Sequence, residues 1–185
     1  GDVTVSYVHN LYDGFQMLHD AVSLYEPLCD FYRANVNEQY DQGSVPGMTT
    51  EPALSAGLLA GASAYTDTAV IVLSRFSGEG WDRSSIEYNG EYNPWETETS
   101  MPKISGEIFP DGDFYLTKEE SAMIAQVKQH FSRIAVVLNI GGIIDTSWIK
   151  NDDQISSALI AWQGGMEGGL ATAELLCGKI SPSGK

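Results

Sequence analysis

Hydrophobic positions along the chain follow two spacings, one typical of helices and one typical of buried strands. Residues 5–22 carry apolar side chains at three- and four-residue steps, which predicts one face of a helix. Ser23 and Glu26 form a capping-box pattern, and apolar positions through 24–40 predict a second amphipathic helix. Pro27 fits that helix only in its first turn.

The next segments predict a loop and a small-residue helix. Residues 41–50 contain two glycines and a proline and are typical of a loop. Residues 51–64 are rich in Ala and Gly and predict a helix packed closely against a sheet. Gly57 and Gly61, four residues apart, would permit that approach, although each costs about 1 kcal/mol relative to Ala.

Two apolar runs predict buried strands, at residues 69–73 and 134–140, and residues 155–162 are a third candidate strand. Between the first two, Thr117 and Glu120 form a second capping box ahead of an apolar helical stripe. A last helix is predicted from Leu170 to a C-cap at Gly178.

Strands that alternate with helices predict parallel pairing with right-handed crossovers. We therefore expect one domain over residues 1–185, an α/β fold with a mostly parallel sheet in a three-layer, flavodoxin-like sandwich. Each predicted strand is followed by a polar or glycine-rich loop, and the carboxyl ends of parallel strands form one edge. That edge is the predicted binding face.

Residues 84–115 show successive turn signals, including Met101-Pro102 and Pro110-Asp111-Gly112, and predict a long irregular connection. Six aromatic residues lie in or at the end of this segment: Tyr88, Tyr92, Trp95, Phe109, Phe114 and Tyr115. Two interpretations are equally supported. The rings stack on a sugar, or they cover the core of the domain itself.

The composition excludes several partners. The formal net charge of -15 and the isoelectric point near 4.3 argue against nucleic acid and anionic membranes, both of which require basic patches. Cys29 and Cys177 match no metal spacing and are typical of reduced thiols, which leaves the localisation unknown and favours the cytoplasm. His9 and His19 fall off the predicted helix face and are expected to be exposed.

The loop after the first strand has the most distinctive chemistry. Glu79 lies between two glycines, which permit a tight turn, and Trp81, Asp82 and Arg83 follow it. This is the composition of a sugar-binding or acid/base site. A Ser-Gly-Glu-Gly motif alone is weak, and the pattern alone slightly favours a solvated glutamate, a surface Asp-Arg pair and a tryptophan at the core edge.

Other chemistries fit less well. The glycine-rich segment 164–169 has neither dinucleotide nor P-loop spacing, and Glu167 within it would repel phosphate. We find no metal-ligand spacing and no nucleophile elbow in the sequence. Carboxylate chemistry remains, but a glycosidase needs two carboxyl groups, and Asp82 and Asp145 are weak partners for Glu79.

Four segments together resemble a known family. They are residues 68–83 (TAVIVLSRFSGEGWDR), 112–120 (GDFYLTKEE), 136–139 with Trp148, and 161–169 with the final ISPSGK. In this order they resemble the α/β-sandwich domain of glycoside hydrolase family 3 β-glucosidases. The resemblance covers nearly the whole chain, except that the family's first strand is expected to be missing before residues 1–3 and residues 84–111 are longer than expected.

The resemblance implies a function. It makes Glu79 the general acid/base of a retaining β-glucosidase, supported by Trp81, Asp82 and Arg83, and it implies a nucleophile on a separate (β/α)8 barrel domain. The implied substrate is a β-glucoside or oligosaccharide, and no metal or organic cofactor is implied. The alternatives are a non-catalytic carbohydrate-binding or domain-interaction module and, more weakly, a complete small hydrolase.

Overall fold

A computed structural model describes residues 5–45, 47–76 and 101–184. The elements in chain order are α1 (Leu11–Met17), α2 (Glu26–Asp41), α3 (Ala56–Tyr65), β1 (Thr68–Arg75), α4 (Met101–Ile108), α5 (Lys118–His130), β2 (Arg133–Ile140), β3 (Ile155–Ile160), a 3-10 turn (Gly165–Glu167) and α6 (Gly168–Leu176). Within these ranges, none of the helices has the length and apolar character of a membrane span.

The three strands form one parallel sheet in the order β1-β2-β3. Val72 lies beside Val137, and Val137 lies beside Leu159, so these side chains share one face of the sheet. A register shift between Ile134 and Ala135 offsets the start of β3. The three predicted strands and the α/β class are confirmed.

The main core lies on one face of the sheet, beneath α3 and α5. Side chains at alternate positions of β1 and β2 point into it, as the two-residue period of a strand requires. The most deeply buried strand residues in this core are Ile71, Leu73, Ile134, Val136, Leu138 and Ile140.

Helices α1 and α6 pack against each other and form a second, smaller core around Phe15, Leu18 and Ala173. Their backbones meet at two glycines. A β-carbon built on Gly14 would lie 2.5 Å from the Gly169 carbonyl oxygen, and one built on Gly169 would lie 2.1 Å from the backbone of Asn10. Any side chain at either position would therefore force the two helices apart.

The predicted helix over residues 5–22 is too long at both ends. α1 begins only at Leu11, because the Asn10 side chain accepts from the Asp13 backbone N–H and the Asp13 carboxylate accepts from the Asn10 N–H. This capping box ends the helix on its N-terminal side. Val5 and Val8, expected on the apolar face, are exposed.

The capping box predicted at Ser23 and Glu26 is also wrong. α2 begins after Tyr25 without a side-chain cap, and Pro27 lies in its first turn as expected. The Ser23 hydroxyl instead accepts from the Tyr65 hydroxyl at 2.8 Å, and Glu26 accepts from Tyr12 and Gln16. Both residues of the predicted capping box therefore bond to residues outside α2 instead of to each other's backbone.

The helix predicted over 51–64 begins five residues later, where the Ser55 hydroxyl caps α3. Its glycines do not serve contact with the sheet. A β-carbon on Gly61 would lie 2.2 Å from the Tyr25 hydroxyl, so that glycine admits a side chain from the α2 end, and Gly57 faces open space.

The irregular connection predicted over 84–115 contains a helix, since α4 begins at Met101, where a turn was predicted. The turn before Gly112 is confirmed, and Gly112 adopts the left-handed conformation (φ 94°). Phe109 is buried, which matches the core-covering interpretation for that ring, whereas Tyr115 is exposed. Tyr88, Tyr92 and Trp95 lie outside the described residues.

Two predicted helices are confirmed in detail. Thr117 and Glu120 form the expected reciprocal capping box at α5, and its apolar stripe joins the main core. α6 ends at Leu176, and Gly178 follows in the left-handed conformation (φ 70°) that a C-terminal glycine provides. Both cysteines are free thiols.

Candidate active site

The carboxyl ends of β1, β2 and β3 lie along one edge of the sheet, as parallel strands require. β1 ends at Arg75, and the chain continues through Phe76 into residues 77–100. The predicted site residues Glu79, Trp81, Asp82 and Arg83 all fall in that segment, outside the described residues. Their roles therefore stay predictions. The structure does describe the residues around the end of β1, from which this segment begins.

Arg75 is anchored on the core face of the sheet. It is 3% exposed, and its two terminal nitrogens donate to the two carboxylate oxygens of Glu120 at 2.7 and 2.6 Å. Its remaining N–H groups donate to three backbone carbonyls, those of Ser74, Asp113 and Tyr115. All five donors of the guanidinium are thus used, the condition under which a buried arginine is stable.

Glu120 has two functions at once. Its carboxylate binds Arg75, and the same carboxylate accepts from the Thr117 backbone N–H in the capping box of α5. The face of the guanidinium lies 4.4 Å from the centre of the Phe109 ring, a cation-π distance. The β1 exit, the start of α5 and the end of α4 are therefore joined through one side chain.

A second carboxylate lies close to this ion pair. Glu51 lines a cavity of about 110 Å³ with Arg75, Phe109 and Glu120, and it accepts a 2.5 Å hydrogen bond from the Tyr32 hydroxyl. Burial, more than any other cause, raises the pKa of Glu51, and the negative charge of Glu120 adds to the rise. Burial and the adjacent Glu51 likewise raise the pKa of Tyr32.

The opposite face of the sheet borders a larger cleft of about 310 Å³ at the same edge. Polar groups from the strand ends and α6 line it, namely Ser74, Asn139 and Thr172. The Asn139 amide nitrogen donates to the Ser74 hydroxyl at 3.3 Å. Trp162, just after β3, closes another side and is 52% exposed.

A side-chain cluster at the rim joins the two chain regions that border this cleft. The Glu167 carboxylate lies 2.8 Å from Nδ1 of His9 and accepts from the Tyr7 hydroxyl at 2.7 Å. These hydrogen bonds, from His9 first and Tyr7 second, lower the pKa of Glu167. His9 was expected to be merely exposed; it is half-buried and bound to the glycine-rich segment instead.

Sequence reasoning missed the residues that surround the β1 exit. Arg75 lies in the family-like segment 68–83, but its partner Glu120 is 45 positions away, and no local pattern connects the two residues. Asp145, considered as a second carboxylate, accepts from the Ser147 hydroxyl and backbone N–H. Among the described residues, no group of three His, Cys, Asp or Glu side chains has the geometry of a metal site.

The whole chain, residues 1–185, matches the family model described as "Glycosyl hydrolase family 3 C-terminal domain". It is 50% identical over 185 residues to "Beta-glucosidase A" of Butyrivibrio fibrisolvens and 31% identical over 192 residues to "Beta-glucosidase" of Ruminococcus albus. Both matches cover 100% of this chain but 22% and 17% of those proteins. The chain thus spans about a fifth of the length of the relatives it matches.

A solved structure of a β-glucosidase from Paenibacillus barengoltzii has the same fold. It superposes with a TM-score of 0.76 at 30% sequence identity. The alignment covers 100% of this chain and 18% of that one. Sequence and structure comparisons therefore agree on the family and on the α/β fold.

Proposed function

Because this chain belongs to the glycosyl hydrolase family 3 C-terminal domain family, we propose that it supplies the general acid/base of a retaining β-glucosidase. The observation that carries the proposal is the 50% identity to a β-glucosidase along all 185 residues. Glu79 is the proposed acid/base, and the nucleophile is a carboxylate on a separate barrel domain of the same enzyme. Residues 1–185 form one sandwich domain in this arrangement.

The proposed reaction has two steps. Protonated Glu79 donates its proton to the glycosidic oxygen while the nucleophile attacks the anomeric carbon, so the glycosidic bond breaks and a glycosyl-enzyme ester forms. The Glu79 carboxylate then removes a proton from water, which attacks the same carbon and releases the sugar. In retaining enzymes the two carboxyl groups lie about 5–5.5 Å apart.

The surroundings of Arg75 support this assignment. A catalytic group must be held close to its productive position, and loops achieve this only when their ends are fixed. Five hydrogen bonds and a buried ion pair fix the chain immediately before residues 77–100. Trp81, Asp82 and Arg83 are proposed to hold the same loop nearer its tip.

A carbohydrate-binding module without catalysis is the second candidate. The observation that favours it is the cleft beside Trp162, which offers an exposed indole and neutral polar groups. A binding module would keep that cleft but would not need an ionisable group at Glu79. The two candidates therefore separate on the chemistry of Glu79.

The decisive experiment is Glu79→Gln in the full-length protein that contains this chain. Hydrolysis of a glucose disaccharide should fall by roughly 10²–10⁴-fold, because its leaving group needs protonation. An aryl β-glucoside with a good leaving group should lose much less in the first step, and added azide should restore its turnover. Asp82→Asn in the same loop is the matched control and should show no azide rescue.

Equal loss on both substrates without azide rescue would exclude Glu79 as the acid/base and leave the binding module. The isolated 185-residue chain gives a second test. Because the nucleophile is proposed to lie elsewhere, the pure chain should hydrolyse neither substrate. Clear turnover by the pure chain would contradict the two-domain proposal.

A further inference from the structure

Trp162 has an unusual backbone. Its φ is 55°, in the left-handed region, where a bulky side chain crowds the backbone and the conformation is strained. The indole gains little burial in return, since the residue is 52% exposed. Strained residues of this kind persist mainly where they serve a function, such as holding a ligand.

Thr172 carries a second, independent signal. It is 8% exposed and lines the same cleft, yet its hydroxyl has no hydrogen-bond partner among the residues that the structure describes. Buried hydroxyls are nearly always satisfied, so an unpaired one facing a cleft indicates a partner that enters it. The indole N–H of Trp162 also has no partner in the described part of the chain.

The other lining groups restrict the ligand to a neutral, polar molecule. The Asn139 amide nitrogen donates to the Ser74 hydroxyl at the carboxyl edge of the sheet, and both side chains line the cleft. Among the described residues that line the cleft there is no Lys or Arg, and Glu167 at its rim is negative. An anion would meet repulsion here, whereas a hydroxyl-rich neutral ligand would meet partners on several sides.

The shape fits one sugar ring. At about 310 Å³ the cleft lies at the small end of the roughly 300–1,000 Å³ of ligand sites. Its lining combines an aromatic ring with amide and hydroxyl groups. A pyranose has the complementary surface, since its C–H groups form an apolar face and its hydroxyls surround the ring.

We propose that the cleft between Trp162, Asn139 and Thr172 is a pyranose-binding subsite, with the apolar face of the sugar stacked on the indole. The identity of the sugar as part of a glucoside substrate rests on the proposed function. The subsite lies on the face of the sheet opposite Arg75, and its three named residues belong to β2, α6 and the segment after β3. Trp162 and Thr172 are binding residues for one ring of the substrate.

The test is calorimetric titration of the full-length protein with a thio-linked glucose disaccharide, which resists cleavage. Trp162→Asn removes the indole and places at this position a residue that tolerates positive φ, so the variant should fold at least as well. It should weaken binding by about tenfold, the change that 1.4 kcal/mol produces. Thr172→Val, which removes only the hydroxyl, should weaken binding by a smaller factor.

Tyr40→Ala is the matched control, because Tyr40 is an exposed aromatic on α2 that does not line the cleft. Its affinity should equal that of the wild type. Unchanged affinity in Trp162→Asn would overturn the subsite, and so would an equal loss in Tyr40→Ala. The titration involves no turnover, so its result does not depend on whether Glu79 is the acid/base. Failure of the Glu79 assignment would change the hydrolysis rates described above, whereas failure of the subsite would leave the affinity of Trp162→Asn unchanged.

Discussion

Successive side chains of β1 point to opposite faces of the sheet, and the two faces end differently at the carboxyl edge. On one face Leu73 is 2% exposed and Arg75 closes the row with its ion pair. On the other face Val72 is 42% exposed and Ser74 opens onto the larger cleft. The same eight residues therefore build a sealed surface and an open one.

The difference indicates how stability and binding are divided. The sealed face places every donor of Arg75 on a protein acceptor, so none of these donors remains for a ligand. The open face leaves the Thr172 hydroxyl and the Trp162 ring without a described partner. Substitutions on the sealed face should thus act on stability, and those on the open face on binding.

Arg75→Met should give the largest effect. It leaves the buried Glu120 carboxylate without its partner, and breaking a buried ion pair on one side costs about 3–5 kcal/mol. Hydrogen exchange of the β1 and α5 amides in the full-length protein measures the local opening free energy. The double variant Arg75→Met/Glu120→Gln should recover part of the loss, since no unpaired charge remains.

Unaltered exchange in Arg75→Met would show that the ion pair does not stabilise the sealed face. Arg75→Lys sharpens the test. It keeps the charge but cannot form the two-pronged contact with both oxygens of Glu120, so its loss should lie between those of the wild type and Arg75→Met.

Leu73→Ala and Val72→Ala compare the two faces at neighbouring positions. Leu73 lies in the main core, where removal of a buried leucine side chain costs about 2–5 kcal/mol. Val72 is exposed, and its truncation should change stability by about 0.5 kcal/mol or less. Similar losses in the β1 hydrogen-exchange profile of the two variants would contradict the division between the faces.

Trp162→Asn should raise thermal stability slightly, by about 1 kcal/mol, because it relieves the left-handed backbone strain of a bulky residue. Thermal unfolding of the wild type and the variant checks this. Together with weaker sugar binding it would show that the open face sacrifices stability for contact with ligand. Lower stability would mean instead that the indole packs for the fold.

Glu51 predicts a small pH dependence on the sealed face. Burial raises its folded pKa above the usual 4.5, so the folded state holds a proton that the unfolded state has lost. Stability should therefore fall as the pH rises from about 4.5 through the folded pKa. Thermal melts across this range should show a smaller fall for Glu51→Gln; parallel curves would assign the fall to other groups.

The parts of the fold that the sequence predicted well depend on local signals. β1 and β2 follow from uninterrupted apolar runs, and α5 follows from a capping box and a stripe that lie within 15 residues. Each of these patterns contains its own partners. Contacts with distant residues therefore did not replace these local ones in the folded chain.

Two of the failed predictions share one cause, which is that distant residues took the predicted partners. Ser23 bonds to Tyr65 rather than capping α2, and the His9 backbone bonds to Met166 and Gly169 rather than continuing a helix. α4 was missed because turn-forming residues around Met101-Pro102 outweighed a short apolar pattern. Pro102 is compatible both with a turn and with the first turn of a helix, so it did not distinguish the two structures.

The surroundings of the candidate site were the least predictable part. The edge itself followed from parallel pairing. The Arg75-Glu120 pair, the Trp162 backbone and the Thr172 hydroxyl, which has no partner among the described residues, each depend on tertiary geometry. A single charged residue at the end of an apolar strand was the available signal for Arg75. That signal predicted neither the burial of Arg75 nor its partner Glu120.

Glu120 also limits how this domain can be rebuilt. The Glu120 carboxylate caps the N-terminal end of α5 and binds Arg75 at the end of β1. Neither element therefore contains all of its own hydrogen-bond partners. Anyone who moves the loop after β1 into another scaffold must move the first turn of α5 with it. An insertion between Thr117 and Glu120 would disturb both ends in one step, although it lies more than forty positions from Arg75.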